Sequence, residues 1–256
     1  MAADREVLDV VLLQPDPTRG LWQLVDCGRA AELVPELPAL RLEQDPIHRH
    51  KDVLSHTIAV VAKTTPELRL RLAALFHDIG KPQTRAYVDG QVTFHHHEAV
   101  GAKMTRRRLR TLGYDEDLVR EVTELVRLSG RFKGYAEGWS DSAVRRYARD
   151  AGNLLGELNE LVRCDCTTRN QAKAERLQEK VDDLELRIAE LAVQDRRRAE
   201  RPAIDGTAVM RLLGIGPGPV VGEAVRYLLE LKRHGEAIDE SDAEVALKEW
   251  WVARQG

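Results

Sequence analysis

Apolar residues recur at helical spacing along most of this chain, and that pattern limits the fold more than any other feature of the sequence. A clear example is the stripe formed by Val53, Leu54, Thr57, Ile58 and Val61. Spacings of three and four residues place such side chains on one face of an α-helix, which then packs against other helices. Repetition of the pattern predicts an all-α protein built as a helical bundle.

One short segment departs from the helical pattern. Between Tyr87 and Phe94, apolar residues flank the dipeptide Asp89-Gly90, which favours the tight turn of a small β-hairpin. Helices are predicted on either side of this insertion, and the glycine-rich stretch from Gly130 to Trp139 is predicted to be a loop. The later helices are predicted over 98–112, 116–128, 141–149 and 154–166.

A long charged segment follows from Ala172 to Arg201, and Pro202 ends it. Its apolar residues alternate spacings of four and three, which is a heptad pattern. We favour an amphipathic helix packed on its own domain, and the alternative is a contact in a homodimer. A small helical body is predicted after it, closing with a helix from Glu240 to Trp251. The heptad residues are Leu177, Val181, Leu184, Ile188 and Leu191.

Composition narrows the functional classes. The 256 residues are 32% charged and only 5% aromatic, which suits a soluble helical protein. The net charge of -3 provides no global attraction to nucleic acid. No apolar run reaches the ~20 residues of a membrane span, so no membrane partner is expected. Three cysteines without a disulfide pattern favour a cytoplasmic location, and Cys164 and Cys166 are predicted to be plain buried thiols.

Candidate metal ligands cluster around the sequence His77-Asp78-Ile79-Gly80-Lys81-Pro82. Imidazole nitrogens and carboxylates are common ligands of divalent transition metals. His56, His77, Asp78 and Asp165 each come from an apolar helix, so we predict that they meet in the bundle interior and bind a single Mn, Fe, Co, Ni or Zn ion. The alternative is that the histidines are hydrogen-bonded core residues and that Asp165 caps a helix or forms an ion pair.

These motifs together resemble a known family. The order of Ser55-His56-Thr57, the His77-Asp78 segment and His95-His96-His97-Glu98 is similar to that in the HD superfamily of metal-dependent phosphohydrolases. Further motifs resemble one branch, the HD-containing C-terminal half of actinobacterial CCA-adding tRNA nucleotidyltransferases. They are Asp45 to Asp52, Asp141 to Tyr147, Asp165 to Asn170 and Leu213 to Pro219.

The resemblance implies an HD-domain helical bundle with a small β-hairpin insertion, followed by a long helix and a small helical body. It implies a helical neck over 1–45, an HD metal-binding domain over 46–170 and the C-terminal body over 171–256. Lys81 and His97 become candidate catalytic residues. Candidate substrate contacts are His96, Arg131, Lys133 and Arg169.

The sequence departs from that branch at two positions. Ser129 and Lys133 stand where the related tRNA enzymes often carry further histidines, and this favours one metal ion over two. Before His56 we find neither a glycine-rich phosphate turn nor paired carboxylates for Mg²⁺, so the resemblance does not carry nucleotide addition onto this sequence.

Two functions follow as expectations. The first is a phosphohydrolase for nucleotides or RNA ends, acting on phosphomonoesters or 2′,3′-cyclic phosphates. The second is a non-catalytic module that binds tRNA or another RNA. A third interpretation is that the sequence is one piece of a longer enzyme. The metal constellation favours the first function, and the neck and body motifs favour the second.

Overall fold

The computed structural model describes residues 2–42, 52–88, 91–168, 170–236 and 239–255, with the side chains of 2, 3, 136 and 137 left out. The described chain is mainly helical and confirms the all-α prediction. Its α-helices are α1 Ala2–Leu12, α2 Thr18–Asp26, α3 Arg29–Leu33, α4 Val53–Lys63, α5 Leu68–Phe76, α6 Lys81–Thr84, α7 His97–Leu112, α8 Glu116–Leu128, α9 Asp141–Ala151, α10 Leu155–Asp165, α11 Gln171–Ala199, α12 Gly206–Leu213, α13 Pro219–Arg233 and α14 Glu240–Gln255. Short 3₁₀ helices cover Pro38–Leu40, Arg131–Glu137 and Gly152–Leu154.

The predicted hairpin is present between α6 and α7. Strands β1 (Ala86–Val88) and β2 (Gln91–Thr93) pair in antiparallel register, with Tyr87 opposite Val92. The predicted turn residues Asp89 and Gly90 lie outside the described residues. The hairpin places the histidine run, which follows β2 directly, at the start of α7.

The glycine-rich stretch differs from the predicted loop. Residues Arg131–Glu137 form a 3₁₀ helix rather than an irregular connection. Its aromatic side chains account for the order, because Phe132 stacks on Tyr135 at 5.6 Å between ring centroids and Tyr135 meets Trp139 edge-on at 5.3 Å. Such pairs stabilise a compact turn beyond the area that they bury.

The structure separates into two compact units, residues 1–188 and 189–256. The division into a neck, an HD domain and a body at 45 and 170 stays a prediction. In the second unit, α12, α13 and α14 enclose a small apolar core. Tyr227 stacks on Trp250 at 5.8 Å between centroids, so the closing helix packs through its tryptophan. The core residues are Ile204, Val209, Ala224, Leu228, Ala243 and Leu247.

The first unit is organised around α5, which packs against α1, α4, α7, α8 and α10. Every residue of this helix from Leu70 to Phe76 is buried, including Arg71. The Arg71 guanidinium donates to the carbonyl oxygens of Leu12 at 2.5 Å, Gln14 at 2.6 Å and Thr64 at 3.0 Å. A buried cation with its N–H groups satisfied in this way ties two separate segments to the central helix.

The first part of α11 also belongs to this unit. Val181 and Leu184 of its heptad pattern are fully buried, and Arg163 of α10 forms ion pairs with Asp182 at 2.7 Å and Glu185 at 2.8 Å. These contacts support the packed amphipathic helix over the dimer seam for residues 171–188, and the homodimer stays untested. Among the described residues, no helix is both long and apolar enough to span a bilayer.

Gly80 joins the turn after α5 to α7 by close backbone contact. A Cβ atom at this position would lie 2.1 Å from the carbonyl oxygen of His97 and 2.7 Å from the amide nitrogen of Gly101. Backbone atoms in the first turn of a packed helix cannot move away cheaply. The absence of a side chain at Gly80 therefore fixes how near His97 comes to the His77-Asp78 turn.

We predict that Gly80→Ala lowers the free energy of unfolding by about 1–3 kcal/mol, the usual cost of forcing an extra methyl group into a packed site. Gly156→Ala is the matched control, because a Cβ at Gly156 meets nothing within 4 Å. That change should be neutral or stabilise by less than about 1 kcal/mol. Urea unfolding of both variants measures the difference. Equal midpoints for the two variants would contradict the close approach.

Candidate metal centre

His77 and Asp78 follow α5 directly and are both buried, at 3% and 2% exposure. The Nδ1–H of His77 donates to the carbonyl oxygen of Ala74 at 2.7 Å, which leaves Nε2 facing the interior. Within the described ranges, this buried Nε2 has no partner in hydrogen-bonding geometry. A buried polar atom without a partner needs an explanation, and a histidine whose other nitrogen donates to a carbonyl has the usual orientation of a metal ligand.

His56 reaches the same point from the first turn of α4. The cap residue Asp52 accepts hydrogen bonds from the amide of Ser55 at 2.7 Å and from its hydroxyl at 2.8 Å, which fixes the start of the helix. His56 Nε2 then lies 2.9 Å from Asp165 Oδ1, and its Nδ1 lies 2.8 Å from the hydroxyl of Thr167. A hydroxyl can donate or accept, so Thr167 suits either tautomer of His56.

Asp165 ends α10 and completes a compact group. The ligand atoms of His56, His77 and Asp165 all lie within 4.8 Å of one another. Asp78 is not part of this set of three, but its Oδ2 lies 3.2 Å from His77 Nε2 and 3.6 Å from His56 Nε2. The structure thus brings together the four residues proposed from the sequence, and their role as ligands stays a prediction.

The electrostatics of this group favour a bound cation. Burial alone would lower the pKa of His77, but the carboxylates of Asp78 and Asp165 outweigh burial and raise that pKa to about 10. Burial opposes ionisation of both carboxyls, yet the neighbouring histidines and Lys81 hold the pKa of Asp78, and the two histidines that of Asp165, below the ordinary value. The carboxylates of Asp78 and Asp165 thus give the group a negative charge that favours a cation beside His77.

The donor set fits a divalent transition metal. Two imidazole nitrogens and carboxylate oxygens suit Mn, Fe, Co, Ni or Zn. Each histidine has an outer partner for its second nitrogen, the carbonyl of Ala74 for His77 and the hydroxyl of Thr167 for His56. Such outer contacts fix the ring orientation and are typical of metal-binding histidines.

Lys81 lies beside this group, at the start of α6. Its ammonium is 2.6 Å from Asp78 Oδ2, and the residue is only 7% exposed. The same ammonium lies 5.6 Å from the centre of the Phe94 ring. The Lys81 ammonium is therefore held between a buried carboxylate and an aromatic ring, with little access to solvent.

The three consecutive histidines differ in their burial. His97 is buried in the first turn of α7, where its Nδ1–H donates to the carbonyl oxygen of Phe94 at 2.8 Å and its Nε2 lies 3.5 Å from Asp78 Oδ1. His96 has φ +62°, a left-handed conformation that is uncommon outside glycine. This conformation turns the chain from β2 into α7, so that His96 and His95 remain exposed on the rim while His97 points inward.

Glu98 does not hold His97 directly. The Nδ1–H of His97 donates to the carbonyl oxygen of Phe94, and Glu98 Oε2 lies 3.5 Å from that nitrogen. The Glu98 side chain instead packs against Gly130, where a Cβ would lie 1.9 Å from its Oε1. Glu98 therefore joins the start of α7 to the end of α8.

An open cleft of about 1080 Å³ leads to the metal candidates. His96 and Lys133, both predicted substrate contacts, line it, and Lys133 Nζ lies 3.8 Å from Glu98 Oε1. Arg131 does not line the cleft, because it forms an ion pair with Asp150 of α9 at 2.5 Å. Arg169 lies outside the described residues.

The prediction of plain buried thiols holds for the burial of Cys164 but not for that of Cys166. Cys164 is buried, and burial raises the pKa of its thiol to about 11, so it stays protonated near neutral pH. Cys166 lines the cleft and is partly exposed, and its carbonyl oxygen accepts a hydrogen bond from Lys63 at 2.5 Å. Neither belongs to the group of close metal-ligand atoms found among the described residues.

Sequence reasoning missed several residues at this site. Thr167 supports His56, Phe94 supports His97 and Lys81, and α11 contributes Lys173 and Lys180 to the cleft wall. The sequence does place the two lysines on one helix face, since they lie at helical intervals on either side of Leu177. What the sequence could not tell is that this face of α11 turns toward the cleft.

Comparison with known proteins agrees with this geometry. The family model of the HD domain, which describes the sequences of that family, matches residues 53–192. The match covers more than half of the chain and includes all four metal candidates. The chain belongs to the HD domain family. This confirms the resemblance found in the sequence, including its link to the C-terminal portion of tRNA nucleotidyltransferases. Metal-dependent hydrolysis is the chemistry of that superfamily, and HD domains bind divalent metals.

Two relatives are similar along nearly the whole chain. The A-adding tRNA nucleotidyltransferase of Deinococcus radiodurans is 30% identical over 96% of this chain, and the CC-adding tRNA nucleotidyltransferase of Thermus thermophilus is 32% identical over 98% of it. The chain spans 57% of the length of either relative. A multifunctional CCA protein of Pseudomonas aeruginosa is 32% identical over 49% of this chain, and that match covers 30% of the relative.

We predict that Asp165→Asn and His56→Gln each abolish most of the bound metal, because each removes one donor of the compact group while nearly keeping its shape. Elemental analysis of purified protein measures the content. A rise in melting temperature when Mn²⁺ is added to chelator-treated protein gives a second readout, since an ion that binds only the folded state stabilises it. His234→Ala is the control, because His234 is exposed and lies in the other unit. Wild-type metal content in both site variants would contradict the assignment of His56 and Asp165 as metal ligands.

Proposed function

We propose that this chain is a metal-dependent phosphohydrolase that acts on phosphate esters of nucleotides or of RNA ends. The activity is that of a phosphomonoesterase, a 2′,3′-cyclic phosphodiesterase or both. The proposal rests mainly on one observation, the unpartnered Nε2 of His77 within the His56, His77 and Asp165 group. That group is reached through an open cleft that accepts a substrate.

His56, His77, Asp78 and Asp165 would hold the metal ion, a single one in our proposal. When bound, a divalent ion polarises a phosphoryl oxygen and lowers the pKa of bound water toward ~7. The carboxylates of Asp78 and Asp165 supply negative charge that retains the cation, and the outer contacts of both histidines fix their donor atoms.

Lys81 and His97 take the catalytic roles. The Lys81 ammonium is a compact charge that neutralises phosphate as negative charge develops on it, and its buried position beside Asp78 places that charge at the metal group. His97 keeps its Nδ1–H on the carbonyl of Phe94, so Nε2 is the atom that donates a proton to the leaving oxygen. His96, Lys133 and Arg169 are the proposed substrate contacts.

A phosphate-release screen tests this function. Purified protein is stripped of metal, reloaded with Mn²⁺, Fe²⁺, Co²⁺, Ni²⁺ or Zn²⁺ and assayed on nucleoside monophosphates, 2′,3′-cyclic phosphates and RNA ends. The proposal requires release that depends on the metal and disappears in Asp165→Asn. Absence of release with every metal and substrate would refute it.

We predict that Lys81→Ala lowers phosphate release by about ten- to a hundredfold, the loss expected for one charged contact to a developing negative charge. Metal content should not fall, because the change removes a cation rather than a ligand. Lys81→Arg should recover little, since the larger planar guanidinium does not replace an ammonium held between Asp78 and Phe94.

The comparison of metal content with turnover decides this prediction. Unchanged turnover in Lys81→Ala at wild-type metal content would show that Lys81 does not contact the phosphate. Loss of metal together with turnover would show that Lys81 supports the metal group rather than the substrate.

The second candidate function is a non-catalytic module that binds tRNA or another RNA. The names of the two similar relatives favour it, because both are tRNA nucleotidyltransferases. Binding of tRNA without phosphate release by any metal-loaded form would support this function. Metal-dependent release from a small phosphate ester would favour the hydrolase.

A further inference from the structure

Lys173 and Lys180 of α11 line the same cleft as the metal group. Together with Leu177, which also lines the cleft, they occupy positions i, i+4 and i+7 of the helix. These positions share one helix face. Seven residues rise ~10 Å along a helix axis, so the two lysines form a spaced pair rather than one cluster.

The ammonium groups of this pair are available to a ligand. Both residues are exposed, and neither ammonium forms a hydrogen bond or ion pair with any residue in the part of the chain that the structure describes. The other two cleft lysines differ, because Lys81 is paired with Asp78 and Lys133 lies near Glu98.

The charged residues of α11 that line the cleft are both lysines. Glu175 and Glu179 lie on either side of Leu177 in sequence, and neither lines the cleft. The helix thus turns lysines toward the cleft and carboxylates away from it. This segregation of charge is what an anionic ligand in the cleft requires.

We infer that Lys173 and Lys180 bind successive backbone phosphates of a single-stranded nucleic-acid end whose terminal phosphate lies at the metal group. The inference rests on the proposed hydrolase for the position of that terminal phosphate. It narrows the substrate class from nucleotides in general to a short single-stranded chain, and it assigns two specificity-determining residues on α11.

The spacing of the lysines favours a nucleotide chain over smaller phosphates. A mononucleotide has one phosphate, for which Lys81 at the metal group suffices. Neighbouring phosphates of a polyphosphate share one bridging oxygen and so lie much closer together than two lysines whose backbone positions are ~10 Å apart along the helix. In a nucleotide chain, a sugar and two ester linkages separate successive phosphates.

The apolar part of the cleft favours a single strand over a duplex. Leu177 lies between the two lysines on the helix face, and Val162 of α10 also lines the cleft. Unpaired bases can lie against such a surface, whereas in a duplex their faces are stacked on each other.

Fluorescence anisotropy on the full chain tests the inference. The probe is a short, labelled, single-stranded oligoribonucleotide with a 3′-hydroxyl end, which has no terminal phosphate to hydrolyse and can be measured with metal present. Its affinity is measured across a salt series for wild type, Lys173→Gln, Lys180→Gln and Arg176→Gln. Arg176 is the matched control, because it lies between the two lysines in sequence, is exposed and does not line the cleft.

Each lysine variant should reduce the slope of log affinity against log salt by ~0.7 and weaken binding on the order of fivefold at ~0.1 M salt, the effect of losing one phosphate contact to a single strand. Arg176→Gln should match wild type. Lysine variants that behave like Arg176→Gln overturn the inference. So does a nucleoside triphosphate or a duplex of the same sequence that binds as tightly as the single strand with the same dependence on the lysines.

The phosphate-release assay separates this inference from the proposed function. Binding that depends on both lysines without any metal-dependent release would refute the hydrolase and leave the nucleic-acid site in place. Metal-dependent release from mononucleotides, combined with oligonucleotide binding that ignores both lysines, would refute the inference and leave the hydrolase in place.

Discussion

Burial of α5 from Leu70 to Phe76 is the constraint on which the first structural unit depends. Helices cover this element on every side, so its C-terminal end cannot shift without disturbing the packing of several neighbours. His77 and Asp78 follow that end immediately, so the packing of α5 fixes their positions. Burial of the Arg71 charge at 1% exposure would destabilise the fold if its N–H groups had no partners. Backbone carbonyls from the segments around Gln14 and Thr64 accept hydrogen bonds from its guanidinium. The same contacts tie both segments to α5.

The metal candidates illustrate how burial and charge act together. Two carboxylates and two imidazoles meet at this site, and the carboxylates of Asp78 and Asp165 raise the pKa of the buried His77. The carboxylates remain ionised because cations surround them, and in return they favour a cation beside His77. A divalent ion satisfies this electrostatic demand, and the unpartnered Nε2 of His77 marks the atom at which it would bind.

Membership of the HD domain family explains the bundle, but the chemistry has to be argued from individual side chains. The histidine run shows why. His95, His96 and His97 are chemically identical, and only the backbone distinguishes them, because a left-handed residue at His96 sends the next side chain into the interior. The relatives are tRNA nucleotidyltransferases of which this chain spans 57%, so their names do not identify its reaction.

The sequence by itself determined the helical class, the hairpin and the four residues that converge as metal candidates. Helical periodicity and motif order are local properties, and both persist in the folded chain. Tertiary structure decided what depends on orientation between elements. It paired Arg131 with Asp150 away from the cleft. It placed the Nδ1–H of His97 on the carbonyl oxygen of Phe94, and it ordered the predicted loop through aromatic stacking. It also turned Lys173 and Lys180 toward the cleft, because the buried residues Val181 and Leu184 lie on the same side of α11 and their packing fixes where that side points.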